Sequence, residues 1–256
     1  MTGEVLLPLA ARYAHWLGLP AEAVNDIADE DPAEVRAMPV ILNIERNDPP
    51  SRTPLLEAAA AAAVAVCLDP RTEPDGEWHT EVQSWIDGRI RKVSRRARGA
   101  HWEAVQALPG ITVTVDGASA RALVPGRVVE APKEVTRLQI SGSELPEDDP
   151  GDPPVGVPVL WLNPKVPMTA GKAAAQVGHA SMLLAAALKA DGREDYLEAW
   201  KDFRCAVRTP PLRTWANLHP GDDPLNAWRR RRVVAVRDAG FTEVAPGTVT
   251  VLAQLR

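Results

Sequence analysis

Residues 157–180, VPVLWLNPKVPMTAGKAAAQVGHA, decide how the second half of the chain folds. Val157 to Asn163 is an almost unbroken apolar run of strand length, as in a strand buried on both faces, and Pro164 ends it. Thr169 then reads as an N-cap for a helix from about Ala170 to Lys189. On a helix advancing about 100° per residue, Lys172, Gln176 and His179 fall on one polar stripe. Ala173, Ala174, Ala175 and Ala180 beside them are small, which lets the helix lie close to a sheet. Gly171 is read as leaving the first turn bare, with backbone N–H groups open to a phosphate.

Working outward, a helix is expected around Tyr196 to Asp202, a short strand over Phe203 to Arg208 and a strand at Val233 to Val236. A final strand, Thr248 to Leu255, follows the Pro246-Gly247 turn, and the whole suggests a compact α/β layer fold. The first half follows the same plan. Met38-Pro-Val-Ile-Leu-Asn-Ile-Glu45 resembles the 157–163 strand, and a helix over Thr53 to Leu68 takes the place of the Thr169 to Lys189 helix. Thr112-Val-Thr-Val-Asp-Gly117 with Pro125-Gly126 parallels Ala235 to Gly240 with Pro246-Gly247. These parallels predict a duplication within the chain, the first copy keeping the core and losing the polar stripe.

Between the copies lies Glu144 to Pro158, dense in Pro, Gly and acid with almost nothing to bury, which reads as a linker. The expected organisation is a helical appendage at 1–37 (helices at Leu6 to Leu19 and Ala21 to Ala28), a diverged non-catalytic domain at 38–143, a linker at 144–156 and a catalytic domain at 157–256. The chain has no signal-like N-terminal pattern and no apolar run of the ~20 residues a membrane span needs, so a soluble, cytoplasmic protein is expected. Cys67 and Cys205 lack disulfide-scaffold numbers and metal-ligand spacing and read as small buried residues.

The net charge of −5 hides an asymmetry, with residues 1–154 at −10 and residues 155–256 at +5. Only the second half favours an anionic partner. Arg229, Arg230, Arg231 and Arg232 form one basic run, and Arg89, Arg91, Lys92, Arg95, Arg96 and Arg98 a second; both are candidate phosphate contacts. Trp161, Trp200 and Trp228 lie in apolar patterns and read as core rather than base-stacking residues.

A P-loop is excluded because Val166 and Ala173 stand where it needs a glycine and a hydroxyl residue. There is no Gly-x-Ser-x-Gly elbow, and a lone His179 makes no metal site. The missing acid is Asp238, directly after a strand, at the end where α/β sites gather, with the Thr242 hydroxyl four residues on. Its bland reading is a turn in which Asp238 caps backbone amides.

Taken together, Met168-x-x-Gly-Lys-x-x-x-Gln-x-x-His-Ala180 and Arg237-Asp-Ala-Gly-x-Thr-x-x-x-Pro-Gly-Thr248 resemble the peptidyl-tRNA hydrolases of the archaeal and eukaryotic type. The resemblance covers about 157–256. It implies a three-layer α/β/α domain with a mixed four-stranded sheet, usually dimeric, hydrolysing the ester between a peptide and the 3′ end of tRNA with no metal or other cofactor. Residue by residue it implies Lys172, Gln176, His179, Asp238 and Thr242 as the site. Asp238 would orient or deprotonate water, Lys172 would stabilise the oxyanion or meet the terminal phosphate, Gln176 and Thr242 would hold the peptide carbonyl and ribose, and His179 would shuttle a proton or support the helix. The implied oligomer is a monomer whose two halves form a pseudo-dimer, or a homodimer. The chain departs from the pattern at Asn163 and Lys165, where the family commonly has Arg and Asp, and at Phe241, where it has Arg. Those departures leave a second reading open: a tRNA- or RNA-binding protein with little turnover.

Overall fold

The computed structural model describes residues 3–24, 26–28, 30–241 and 243–256. In chain order the elements are α1 (Leu7–Gly18), α2 (Ala21–Val24), β1 (Arg36–Asn43), α3 (Arg52–Leu68), α4 (His79–Asp87), β2 (Arg91–Ala97), α5 (Ala100–Val105), β3 (Gly110–Val115), β4 (Ala118–Leu123), β5 (Gly126–Arg127) and α6 (Lys133–Thr136). The second half adds β6 (Val159–Leu162), α7 (Ala170–Ala190), α8 (Glu194–Ala199), β7 (Ala206–Arg208), α9 (Leu212–Leu218), α10 (Pro224–Arg231), β8 (Val233–Arg237) and β9 (Val249–Gln254). The second expected N-terminal helix is short, and Asn25 and Asp29 lie outside the described residues.

Two mixed sheets carry the fold. One is ordered β2-β1-β4-β3 with β5 beside β1, the other β7-β6-β9-β8. In each, the strand before the long helix pairs in parallel with the next strand, β1 with β2 and β6 with β7, and the remaining main-ladder pairs are antiparallel. The halves therefore share one strand order, but the expected equivalence of Pro125-Gly126 with Pro246-Gly247 fails. Pro125-Gly126 follows β4 and opens β5, whereas Pro246-Gly247 precedes β9. The turn between β3 and β4 is Asp116-Gly117, both at positive φ (46° and 82°), a two-residue hairpin. Between β8 and β9 the same connection is longer, and Asp238 opens it.

α3 is apolar nearly all round and buried nearly throughout, as a helix enclosed on every side must be. It packs on its own sheet and along α7. Small residues set that approach: Ser181 Oγ donates to the Ala60 carbonyl at 2.8 Å, and a Cβ on Gly178 would stand 3.1 Å from Ala63 Cβ. One hydrophobic core runs from Met38, Leu42 and Ala120 through Ala60 and Ala63 to Leu160, Val177 and Val251, so the halves are joined by a shared interior.

The joining is reciprocal. α7 lies along β2 of the first sheet, and α3 along β7 of the second. Glu57, the only acid on α3, accepts from Val207 N at 3.0 Å and Arg208 Nη1 at 2.9 Å. Burial pushes its carboxyl pKa up, opposed by those two partners.

Helix α1 closes an edge. β8 ends its sheet, and the Tyr13 hydroxyl accepts from Ala235 N at 2.8 Å, satisfying an edge amide. Burial raises the Tyr13 pKa to about 12. The Arg237 guanidinium donates to the carbonyls of Trp16, Leu17 and Leu19 at the end of α1, which steadies the residue next to Asp238. The expected linker holds no regular structure but is strapped down. Asp148 accepts from Thr53 N at 2.9 Å and Oγ1 at 2.6 Å, and Arg208 donates to Gly151 O at 2.7 Å. Cys67 and Cys205 are free and buried, and Trp200 and Trp228 pack in the core.

Candidate active site

α7 begins where Thr169 Oγ1 accepts from Lys172 N at 3.1 Å. The first-turn amides that the sequence reading left open to phosphate are occupied. Gly171 N donates to Ser143 Oγ at 3.1 Å, Ala170 N to Ser143 O at 3.2 Å and Ala173 N to Thr169 O at 2.9 Å. Gly171 instead makes room for Ser143: a Cβ there would come within 2.6 Å of Ser143 Oγ and turn that hydroxyl away.

Asp238 sits at the C-terminal end of β8 with its backbone tied to the far side of the loop. Its N donates to Thr248 O and its carbonyl accepts from Gly247 N, both at 2.8 Å. Asp238 Oδ1 accepts from Gly240 N at 2.7 Å, the local turn expected of an aspartate here. The other oxygen, Oδ2, meets two residues of the α7 stripe: Lys172 Nζ at 2.6 Å and Gln176 Nε2 at 2.8 Å. Side-chain exposure is 11% for Lys172 and 6% for Asp238, so the ion pair works with little water around it.

Gln176 is fixed from behind by a residue the sequence reading missed. The Thr250 hydroxyl, fully buried, donates to Gln176 Oε1. The β8–β9 register explains its aim, because Val236 pairs with Val251 and Arg237 with Val249, leaving Thr250 as the extra residue of a bulge. Bulges re-aim side chains beside sites. The available signal was one hydroxyl residue set between the apolar Val249 and Val251. Glu243, also missed, accepts from Thr169 N at 3.0 Å and Oγ1 at 2.8 Å, tying the loop to the start of α7.

His179 is on the stripe but one turn beyond, about 10 Å along the axis from Lys172. Its Nδ1 lies 3.0 Å from Lys92 Nζ of β2. Burial, then the charges of Lys92 and Lys172, holds His179 well below the usual histidine pKa, and burial brings the Lys92 ammonium down to about 7. Lys92 also stands 4.9 Å over the Trp85 ring. It therefore faces the interior between the halves, where the sequence reading had it meeting phosphate. Thr242 lies outside the described residues.

The two basic runs separate. Arg229 to Arg232 close α10 and enter β8 at its start, whereas Asp238 follows its end, so the strand's length of about 17 Å lies between them. Arg232 pairs with Asp191 at 2.8 Å, and Arg229 to Arg231 are exposed. The β2 run lies beside α7, and several of its members have partners within the chain: Arg91 and Arg89 meet Glu30, Arg95 donates to Leu138 O at 2.8 Å, and Arg96 meets Gln139, while Arg98 is exposed. Asn163, at a position where the sequence departs from the resembled pattern, donates from Nδ2 to Val249 O at 2.7 Å and accepts from Lys165 N at 2.9 Å, shaping the turn after β6. Among the described residues, no three metal-ligating side chains converge and no helix is long and apolar enough to cross a membrane.

A carboxylate held between a lysine and a glutamine at a strand end is suited to directing a water. Residues 157–254 match the peptidyl-tRNA hydrolase PTH2 family. The match takes in β6 to β9 with α7 to α10, and none of the first sheet. Lys172, Gln176, Asp238 and Thr250 all lie within the matched hydrolase segment, while Lys92 lies outside it. No curated protein and no solved structure matches the chain.

Proposed function

We propose that the chain is a peptidyl-tRNA hydrolase, cleaving the ester between a peptide or N-blocked amino acid and the 3′ end of tRNA. The observation that carries the reading is the convergence of Lys172 and Gln176 on one oxygen of Asp238 within the family-matched segment. Asp238 takes a proton from water as the water oxygen attacks the ester carbonyl. Lys172 lies beside the negative charge that develops on the carbonyl oxygen. Collapse breaks the bond to the ribose oxygen, which receives the proton, leaving a peptide carboxylate and a free 3′ end. Gln176, braced by Thr250, keeps the carboxylate aimed, and Thr242 would hold ribose or carbonyl. The mechanism draws every step from side chains and needs no cofactor.

The first half, in this reading, is a diverged copy that replaces a second subunit. Its equal strand order and the reciprocal packing of α3 on β7 and α7 on β2 support it. Light scattering then gives the mass of one chain, 27.6 kDa; a tight homodimer would contradict it. The hydrolase reading is tested by Asp238→Ala. Turnover of N-acetyl-aminoacyl-tRNA is abolished while affinity for tRNA stays within a few-fold. An RNA-binding protein without catalysis would show no turnover in the parent either.

A further inference from the structure

We infer that Phe241 and Arg91 form a ledge on which the terminal base of the substrate RNA stacks; this rests on the hydrolase reading above. Phe241 is one of only two phenylalanines in the chain, and it is 48% exposed, with no place in the core. It stands three residues past Asp238, on a loop anchored on both sides of it, by Gly240 N on Asp238 Oδ1 and by the Glu243 carboxylate on Thr169. The backbone that carries the ring is therefore tied to Asp238 on one side and to the start of α7 on the other.

Behind it, the Arg91 guanidinium carbon lies 5.4 Å from the ring centroid. Arg91 is itself set by Glu30, which accepts from Nη1 and Nη2 at 2.5 Å each. The order carboxylate, guanidinium, aromatic ring ends in an open aromatic surface beside the residues proposed to hold the ester. An ester on the terminal ribose brings the attached base into the same neighbourhood. A flat, polarisable base is the ligand that such a surface takes, and a cation behind the ring reinforces it. Arg91 comes from the first half and Phe241 from the second, so the ledge exists only while the halves are docked.

The test uses the full chain with Phe241→Leu, which keeps an apolar side chain and removes the aromatic face, and Phe241→Trp, which keeps the face. Two readouts are taken: calorimetric binding of a 5′-CCA-3′ trinucleotide, and the ratio of kcat/KM for the N-acetyl-aminoacyl esters of adenosine and of a base-less methyl riboside. Phe241→Leu weakens trinucleotide binding about 10-fold and brings the ester ratio down toward one, while Phe241→Trp retains both. Equal trinucleotide binding by parent and Phe241→Leu would overturn the ledge, whether or not either ester is cleaved. Binding that depends on Phe241 with no cleavage of either ester would leave the ledge standing and overturn the hydrolase reading.

Discussion

Lys92 Nζ, from the first sheet, stands 3.0 Å from His179 Nδ1 on the central helix of the second half. The lysine stem passes over Gly178, where a Cβ would be 3.2 Å from Lys92 Cε. One half thus inserts a titratable group against the helix that carries Lys172 and Gln176 of the other half, and that contact sets a pH dependence.

Burial lowers the Lys92 pKa from 10.5 to about 7. Between those values the unfolded chain binds more protons than the folded one, so wild-type stability gains as pH rises through the window. Lys92→Met removes that term. Urea unfolding will show Lys92→Met ahead of wild type at pH 7 by at least about 1 kcal/mol, with the lead shrinking toward pH 10. A lead that does not change with pH contradicts the burial of the ammonium.

The Lys172–Asp238 pair is enclosed, so removing one member takes a charge-compensating contact from the other where little water can replace it. Asp238→Ala will cost about 3 kcal/mol or more, and adding Lys172→Met to it will recover part of the loss. Additive losses in the double variant would show that the pair is not coupled.

Gly178 lies at the crossing of α3 and α7. Replacing a helical glycine usually stabilises, but Gly178→Val adds three carbons where one would already stand 3.1 Å from Ala63 Cβ. The expected loss is about 1–3 kcal/mol in urea unfolding. A gain in stability would mean the helices are not in close contact there.

Thr250 acts through Gln176. Thr250→Val will lower kcat about 10-fold with little change in KM, a loss of about 1.4 kcal/mol in transition-state stabilisation, and Thr250→Ser will restore it. If valine and serine behave alike, the hydroxyl has no positioning role.

Sequence carried β1, the four strands of the second half, both long helices and the α7 stripe, because apolar runs and periodicity record burial directly; β2 and β4, with charged residues among their apolar ones, were not read as strands. Lys172, Gln176 and Asp238 were legible for the same reason, being polar residues at positions a buried helix and a strand end make conspicuous. The Thr250 contact was hidden because a bulge shifts register without changing composition. Lys92 was misread because a run of Arg and Lys looks like a solvated face, and only the docking of β2 on α7 turns one member inward. The loss of Pro125-Gly126 as a counterpart has a similar cause, since a motif carries no record of which side of a strand it falls on.

The most direct measurement is release of N-acetyl amino acid from a bulk N-acetyl-aminoacyl-tRNA preparation, with chelator present, by wild type, Lys172→Ala and Asp238→Ala. The account predicts turnover by wild type that leaves tRNA able to be charged again, and a fall of 10²-fold or more, on the order expected for loss of an acid–base or oxyanion group, in both variants. No release by wild type, or release that survives Asp238→Ala, would contradict it.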